Sequence, residues 1–284
     1  VIATGTFSAA GTRLQKEKGI EDSVEAFAAD LNRIGKNRAD QELLMLYAGK
    51  AAEVWEWFVD HGLAPSPQSP MIDPVHSAYS VPRTNTPAKN SAFEYCKVLR
   101  AEMKPYEGRL TILTSTEATR LLKKGDAVVG VAARGLEGER EYRAGAVVLA
   151  TGGFGSNHAF IESRMPKYAE LRSVTMPHAD GGGLAMAEAA GAQLVNMDYL
   201  VGYFGAIAEE GTKASGFGSL TSGFAERWKG DVWLDLTGRR FVDEDGDDED
   251  PRETAMDAIP EQTAVIIFDQ ASVEIGRASG RERV

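Results

Sequence analysis

Apolar residues recur at helical spacing in two stretches near the start of the chain. The sequence Asp22-Ser23-Val24-Glu25 has the form of a capping box and predicts a helix to about Arg33. Asp40 predicts the cap of a longer helix that ends at Gly62. The apolar positions that recur at helical spacing in this longer helix are Leu43, Leu44, Leu46, Tyr47, Ala51, Val54, Trp55, Phe58 and Val59. For the aromatic residues Trp55, Trp57 and Phe58, core packing is preferred over a cofactor box.

A proline-rich segment follows the second helix. Residues 64–87 contain six prolines separated by Ser, Asn and Thr, which predicts a long irregular loop. Long loops inside compact domains are often functional. A further helix is predicted from about Ala88 to Met103.

The middle of the chain has the pattern of strands. Short runs predict three of them, at residues 110–114, 118–122 and 127–134, and residues 139–143 predict a return strand. The sequence Lys124-Gly125-Asp126 predicts a turn. Residues 146–150 form a continuous apolar run, which predicts a strand buried on both faces, as in a parallel sheet. Together these elements indicate an α/β sheet with an antiparallel excursion.

Composition and charge exclude several classes of function. The chain has 284 residues and a formal net charge of −11, which disfavours binding to the phosphate backbone of a nucleic acid. It contains no apolar run long enough to span a membrane. Its single cysteine, Cys96, excludes an intrachain disulfide and is interpreted as a small core residue rather than a nucleophile.

Two glycine clusters carry the candidate chemistry. The apolar run leads into Thr151-Gly152-Gly153-Phe154-Gly155, and Asp180-Gly181-Gly182-Gly183 precedes an amphipathic helix that ends at Gly191. Glycines at the end of a strand let the backbone approach a ligand closely. N–H groups at the start of a helix attract an anion or a ligand carbonyl. Taken alone, the first cluster is equally compatible with a tight turn.

Four segments resemble the FAD-dependent oxidoreductases of the fumarate reductase and succinate dehydrogenase flavoprotein family, which includes flavocytochrome c. They are Gly11-Thr12 with Asp22-Ser23 and Phe27, then residues 147–157, 183–192 and 240–244. The first segment is similar to the one that follows the flavin-facing glycines of the family, and residues 147–157 are similar to its second FAD motif. Residues 183–192 are similar to its "GDG…GA" helix, and residues 240–244 to its "RFxNE" segment. The resemblance implies an α/β fold: a Rossmann-like FAD-binding domain, incomplete at its N-terminus, with an inserted α+β cap domain.

The same register implies a domain organisation. We expect residues 1–198 to belong to the FAD-binding domain and residues 199–274 to begin the substrate cap domain. Residues 275–284 resemble a translated sequencing adapter and are left out of the fold, with a basic natural tail as the alternative. The family's Gly-x-Gly-x-x-Gly turn is expected upstream of Val1, so we expect an internal piece that is inactive by itself.

The resemblance implies FAD as the cofactor and assigns its contacts. Thr4 and Gly5 fall where small residues of the family touch the flavin ring and the substrate, and Ala118 falls where the backbone meets the adenine. Five further positions match glycine turns that contact the cofactor: Thr151, Gly152, Gly153, Gly181 and Gly182. The family has Asp at the position of Gly182, so that contact departs from the pattern.

The resemblance also implies the catalytic groups. Arg252 matches the arginine that gives a proton to the substrate, and Arg227 matches a relay arginine. A relay is required because the pKa of arginine is very high. The alternative is that Arg252 is a surface residue that pairs with the acidic residues 243–250. That acidic run fits no EF-hand pattern and is interpreted as a solvated loop.

The residues that grip a dicarboxylate in fumarate reductases are replaced. By the resemblance, Tyr203 stands in place of a His, and Gly223-Phe224 in place of a Thr-Glu pair. A pocket with Tyr and Phe offers fewer donors to a carboxylate, which favours a bulkier or less charged acceptor such as an enone or an aryl acrylate. His178, just before the second glycine cluster, is either a pocket residue or a structural histidine.

The resemblance therefore implies an enzyme that reduces a carbon–carbon double bond next to a carbonyl or carboxylate. Two alternatives on the same fold are a 3-ketosteroid-type dehydrogenase and a non-catalytic flavin-binding protein. The expected partners are a small-molecule substrate and an electron donor, which is a heme domain, a quinone-linked protein or a flavin reductase. No metal is expected.

Overall fold

The computed structural model describes residues 5–72, 79–89, 91–173, 175–200, 232–244 and 250–267, and the backbone of 207–208 and 215–216. Its contacts divide the chain into two units, Val1–Thr111 with Gly246–Asp250, and Ile112–Asp245 with Pro251–Val284. The domain boundary near residue 198 stays a prediction. Within the described part of the chain, no helix combines the length and the apolar character needed to cross a bilayer.

The described residues of the first unit form four α-helices: α1 (Arg13–Glu17), α2 (Val24–Ile34), α3 (Gln41–Asp60) and α4 (Phe93–Met103). The prediction of α2 is confirmed, but its cap is Ser23, whose side chain accepts the N–H of Ala26 at 3.1 Å. Asp40 caps α3 as predicted, because its Oδ1 accepts two N–H groups of the first turn at 3.0 Å each. The helix ends before Gly62, which has a φ of +100°.

The buried face of α3 is narrower than the apolar pattern predicts. Leu43, Leu46, Tyr47 and Val54 share the helical spacing but are exposed. Helix α3 packs against α2, and a single neighbouring helix can cover only one face of α3. The core of this unit consists of Ala9, Ala10, Phe27, Ala28, Leu44, Ala48, Ala51, Trp55, Leu63 and Val98. Cys96 lies outside this core and is half-buried.

The described residues of the proline-rich segment are more ordered than predicted. Strands β1 (Phe7–Ser8) and β2 (Thr84–Asn85) form an antiparallel pair, and Met71 and Thr84 exchange backbone hydrogen bonds of 2.9 and 3.0 Å. The Ser69–Pro70 peptide is cis. Several polar residues in the described parts of residues 64–87 are buried and do not form an exposed loop. Their burial is possible because backbone groups of this segment pair with β1 and with each other. Helix α4 begins five residues after the predicted start at Ala88.

The second unit contains the predicted antiparallel excursion. Strands β3 (Glu117–Lys124), β4 (Ala127–Gly135) and β5 (Gly138–Arg143) form a sheet in the order β3-β4-β5, which confirms these strands and the turn at Gly125. Two helices follow, α5 (His158–Arg164) and α6 (Gly182–Ala190), and α6 packs against β3. Lys123 donates to the carbonyl of Ala190 at 2.8 Å, where a cation is favourable at the C-terminal end of α6.

Two of the predicted strands are absent. Residues 110–114 and 146–150 carry no regular secondary structure, and Val148 is 88% exposed rather than buried on both faces. A strand needs a neighbour to pair with its backbone groups, and no described segment pairs with either run. An apolar run predicts burial only where such a neighbour is present.

The remaining described elements lie in the segment predicted to begin the cap. Strand β6 (Ile207–Ala208) pairs with β7 (Ser215–Gly216), and β8 (Val232–Leu234) pairs with β9 (Val265–Ile267). Helix α7 (Asp250–Ala258) lies between β8 and β9 in the chain. The turn after β8 is closed by Asp235, whose Oδ1 accepts the N–H groups of Thr237 at 2.8 Å and Arg239 at 3.1 Å.

Candidate functional site

The two glycine clusters of the second unit lie against each other. The N–H of Gly181 donates to the carbonyl of Gly153 at 3.1 Å, and the Asn157 side chain donates to the carbonyl of Asp180 at 2.7 Å. Asn157 also caps α5 by accepting the N–H of Phe160 at 3.0 Å. The sequence predicted the clusters separately, and the fold joins them into one backbone surface, which we call the glycine surface.

Glycine is required in the glycine surface for two different reasons. Gly183 packs so closely that an added Cβ would overlap the Thr151 side chain, at 2.7 Å from its Cβ. Around Gly153, in contrast, an added Cβ would meet no atom within 4 Å, and the residue is exposed. Gly183 is therefore a packing glycine, whereas Gly153 leaves backbone open to a ligand.

Helix α6 begins at the glycine surface with Gly181, which has a φ of +77°. N–H groups of a first helical turn are not used inside the helix. Here Asp180 Oδ1 already accepts the N–H of Gly182 at 2.8 Å, which places a negative charge beside the helix N-terminus. The arrangement favours a neutral carbonyl ligand at α6 over a phosphate.

Gly5 belongs to the first unit, where α4 holds it tightly. Its φ is +85°, and an added Cβ would lie 2.9 Å from the backbone N of Ala92 and 3.1 Å from the Tyr95 ring. The Tyr95 hydroxyl donates to the Gly5 carbonyl at 2.9 Å. Burial raises the pKa of Tyr95, so its hydroxyl stays protonated as a donor. Sequence reasoning missed Tyr95, which lies 90 residues from Gly5.

The residues after Gly5 are held by β2. The N–H of Ala9 donates to the carbonyl of Arg83 at 3.0 Å, and Asn85 Nδ2 donates to the same carbonyl at 3.2 Å. The Oδ1 of Asn85 is buried and accepts no hydrogen bond from the described residues. Buried acceptors are nearly always paired, so an ordered water or a polar ligand group is expected at this atom.

A buried ion cluster fixes β2, and sequence reasoning missed it as well. The Arg83 guanidinium is fully buried, donates to both oxygens of Asp22 at 2.7 and 2.9 Å, and also pairs with Asp30. The rings of Phe27 and Tyr79 lie 5.2 and 5.3 Å from its central carbon. No local pattern pairs Arg83 with carboxylates 53 and 61 residues earlier in the chain.

The electrostatics of the ion cluster favour charged carboxylates. Burial by itself would raise the pKa of Asp30. Hydrogen bonds from Ser80 and Arg83 lower it by more than burial raises it, so the pKa lies well below its usual range. Burial likewise raises the pKa of Asp22, and bonds from Arg83 and Gln15 outweigh that effect. Both carboxylates are therefore ionised at neutral pH.

Ala118 and His178 are both exposed. Ala118 lies at a bulge near the start of β3, which is the outer strand of its sheet among the described residues, so its backbone is open on one side. His178 lies four residues before α6. The choice between a pocket residue and a structural histidine beside the helix stays open.

The structure buries Arg252. This residue lies in α7 and is 1% exposed, so the alternative of a surface arginine was wrong. The preceding "RFVDE" segment is ordered around Glu244, which accepts the N–H of Trp233 at 2.6 Å and Arg240 Nε at 2.9 Å. Burial raises the pKa of Glu244, but these donors lower it more, so the net pKa is lowered and Glu244 is ionised.

Four of the predicted site residues lie outside the described residues: Thr4, Tyr203, Phe224 and Arg227. Their roles stay predictions, and the same holds for residues 275–284. The structure thus brings together Gly153 and Gly181 in one unit, and it places Gly5 with Tyr95 in the other.

Comparison with known proteins identifies relatives over nearly the whole chain. The sequence profile of the FAD binding domain family matches residues 1–275. The NADH:fumarate oxidoreductase of Klebsiella pneumoniae is 28% identical over 273 residues, covering 95% of this chain and 28% of that protein. The urocanate reductase of Eggerthella lenta is 30% identical over 288 residues, covering 96% of this chain and 44% of that protein.

A solved structure shares the fold. The open conformation of a flavocytochrome c3 fumarate reductase matches with a TM-score of 0.76 and 27% identity, over 99% of this chain and 48% of that chain. The chain therefore spans less than half the length of each of these three proteins. The shared fold confirms the predicted α/β class, with helices and sheets as observed.

Proposed function

Because the chain belongs to the FAD binding domain family, we propose that its protein reduces a carbon–carbon double bond next to a carbonyl or carboxylate. The cofactor is FAD, and the chain is part of an FAD-dependent oxidoreductase family. The observation that carries the proposal is the burial of Arg252. Removing a guanidinium from water costs roughly several kcal/mol. The burial of Arg252 after the "RFVDE" segment therefore favours a catalytic role for this arginine over a role at the surface.

The described residues fit the parts of FAD assigned to them. We assign the pyrophosphate to Thr151, Gly152 and Gly153, because the open backbone at Gly153 allows close approach. Gly181 and Gly182 are assigned to the flavin ring. A neutral carbonyl of that ring suits the start of α6, because the Asp180 carboxylate already accepts the N–H of Gly182 there. The exposed backbone of Ala118 suits the adenine. Thr4 and Gly5 are assigned to the ring and the substrate.

The protein residues supply the proton. FAD, when bound and reduced by the electron donor, would supply a hydride to the double bond, and the electron pair left on the neighbouring carbon would need a proton. Arg252 is proposed to give that carbon a proton, which balances the reduction. Arg227 is proposed to return a proton to Arg252, because a guanidinium that has lost its proton must regain it before the next turnover.

The substrate is proposed to be an unsaturated acid that carries a ring or another bulky group. Tyr203 and Phe224 replace the groups that bind a second carboxylate in fumarate reductases, and an unpaired buried carboxylate is costly. One relative is named a urocanate reductase, and urocanate is an acrylate with an imidazole ring. The names of the relatives include NADH and a flavocytochrome, and we propose an electron donor of one of these kinds.

Substitution of Arg252 by Lys tests the proposal in the FAD-loaded protein. The expected result is a loss of kcat of roughly 10²–10⁴-fold with little change in FAD content, because an ammonium lacks the reach and geometry of the guanidinium. The matched control is Arg239→Lys, which changes an exposed arginine of the same unit. Full activity in Arg252→Lys would require another proton donor. If the wild-type protein binds FAD but reduces no unsaturated acid or enone, the alternative of a non-catalytic flavin-binding protein is favoured. If it oxidises 3-ketosteroids, the alternative of a 3-ketosteroid-type dehydrogenase is favoured.

A further inference from the structure

The Gly5–Thr6 peptide has a fixed orientation. Its carbonyl accepts the Tyr95 hydroxyl at 2.9 Å, and an edge-to-face contact with Phe58, 4.8 Å between ring centres, holds the Tyr95 ring. The only cis peptide in the described part of the chain is Ser69–Pro70, so the Gly5–Thr6 peptide is trans. In a trans peptide the N–H points opposite to the carbonyl. The N–H of Thr6 is therefore directed away from Tyr95.

The N–H of Thr6 is available to a ligand. It makes no hydrogen bond with any described residue, and Thr6 is exposed. On the other side of the peptide, Gly5 has no room for a side chain, because Ala92 and Tyr95 occupy the space. The segment therefore presents one backbone donor outward while α4 and Tyr95 support it from behind.

We propose that Tyr95 is a positioning residue that orients the Gly5–Thr6 peptide so that the Thr6 N–H donates to an acceptor atom of the bound flavin ring. This inference rests on the proposed function, which assigns Gly5 to the flavin ring. When a flavin is reduced, N1 and the carbonyl oxygens of its ring become more negative, whereas N5 gains a proton. The proposed acceptor is therefore N1 or a carbonyl oxygen. A fixed N–H therefore stabilises the reduced ring more than the oxidised ring, as preorganised donors do at other sites of developing charge.

The hydroxyl of Tyr95 can be removed without changing its ring. The Tyr95→Phe variant keeps the packing against Phe58 and loses only the hydrogen bond to Gly5. The matched control is Tyr106→Phe, because Tyr106 belongs to the same unit and is 51% exposed. Hydrogen exchange of the 284-residue chain without added flavin tests the first step. In Tyr95→Phe the Ala9 amide, which bonds to Arg83, is expected to exchange about fivefold faster, as follows from the loss of one hydrogen bond.

The flavin provides the second readout. In the FAD-loaded protein, Tyr95→Phe is expected to give a more negative midpoint potential and an altered visible flavin spectrum, whereas Tyr106→Phe changes neither. Unchanged exchange in Tyr95→Phe would overturn the positioning role. Faster exchange with an unchanged potential would overturn the contact with the flavin and leave Tyr95 a structural residue. A wild-type protein that takes up no FAD would instead refute the proposed function, and the hydrogen exchange would still decide whether Tyr95 holds Gly5.

Discussion

At the scale of single residues, the glycine surface shows that neighbouring glycines meet different requirements. At Gly183, Thr151 fills the space that a side chain would need. At Gly181, the positive φ favours glycine over other residues. Gly153 meets neither requirement, since its surroundings are open and its φ is not positive. A glycine that the fold does not need is a candidate for contact with a ligand.

Alanine substitutions separate packing from ligand approach. Gly153→Ala is expected to leave the melting temperature unchanged and to weaken FAD binding by about tenfold, because the new methyl group occupies the ligand's place. Gly183→Ala is expected to lower the free energy of unfolding by about 1–3 kcal/mol, because the methyl group overlaps Thr151. Thermal melts and flavin fluorescence titrations measure the two effects. A loss of stability in Gly153→Ala with unaltered FAD affinity would show that this glycine is a packing residue.

At the scale of secondary-structure elements, the ion cluster connects α2 to β2. Asp30 belongs to α2, Asp22 precedes it, and Arg83 precedes β2, whose pairing holds β1. All three side chains are buried or nearly so. The cluster therefore stabilises the strand that follows Gly5, although none of its members contacts a predicted site residue in the described structure.

Removal of the Arg83 side chain is expected to destabilise the first unit strongly. Arg83→Ala removes the guanidinium that Asp22 and Asp30 share and leaves Asp30 only its ion pair with Arg33, at a cost of about 3–5 kcal/mol in the free energy of unfolding. The control is Arg13→Ala, whose pairs with Glu56 and Asp60 are exposed to solvent and contribute little to stability. Urea unfolding followed by tryptophan fluorescence reports on this unit through buried Trp55. Equal effects of the two substitutions would contradict the assigned role of the cluster.

The ion cluster also predicts a loss of stability in acid. The pKa values of Asp22 and Asp30 are lowered by folding, so their contribution is complete above the pKa of unfolded aspartate, about 3.9, and decreases as the pH falls below it. The free energy of unfolding is therefore expected to decrease as the pH falls below about 4, and Asp30→Asn should reduce that dependence. Asp126→Asn, in the exposed turn after β3, should leave it unchanged. A dependence that is the same in Asp30→Asn and wild type would rule out Asp30 as its source.

At the scale of the whole molecule, the proposed loss of carboxylate-binding groups at Tyr203 and Phe224 determines the expected substrate range. We expect the FAD-loaded protein to reduce fumarate at least about tenfold less efficiently, in kcat/KM, than the best aryl acrylate or enone, because Tyr203 and Phe224 offer a dicarboxylate fewer donors. Oxidation of a reduced viologen measures both reactions under the same conditions. Fumarate turnover equal to that of the best bulky substrate would contradict the proposed pocket.

The sequence by itself determined the features that depend on neighbouring residues. Capping by Asp40, the C-terminal glycines of α3 and α6, and the hairpin at Gly125 were all predicted, because each depends on a few residues close in the chain. The four motif segments likewise identified the FAD family, since a family motif is a local string of residues.

Only the tertiary structure decided which residues meet across long distances in the chain. It joined Gly153 to Gly181, Tyr95 to Gly5, and Arg83 to its two carboxylates, and it buried Arg252. It also gave residues 146–150 no partner strand within the described part of the chain, although their apolar pattern predicts a buried strand. The physical reason is the same in each case. Periodicity states what a segment can bury, whereas burial and hydrogen bonding depend on which distant segment the fold places beside it.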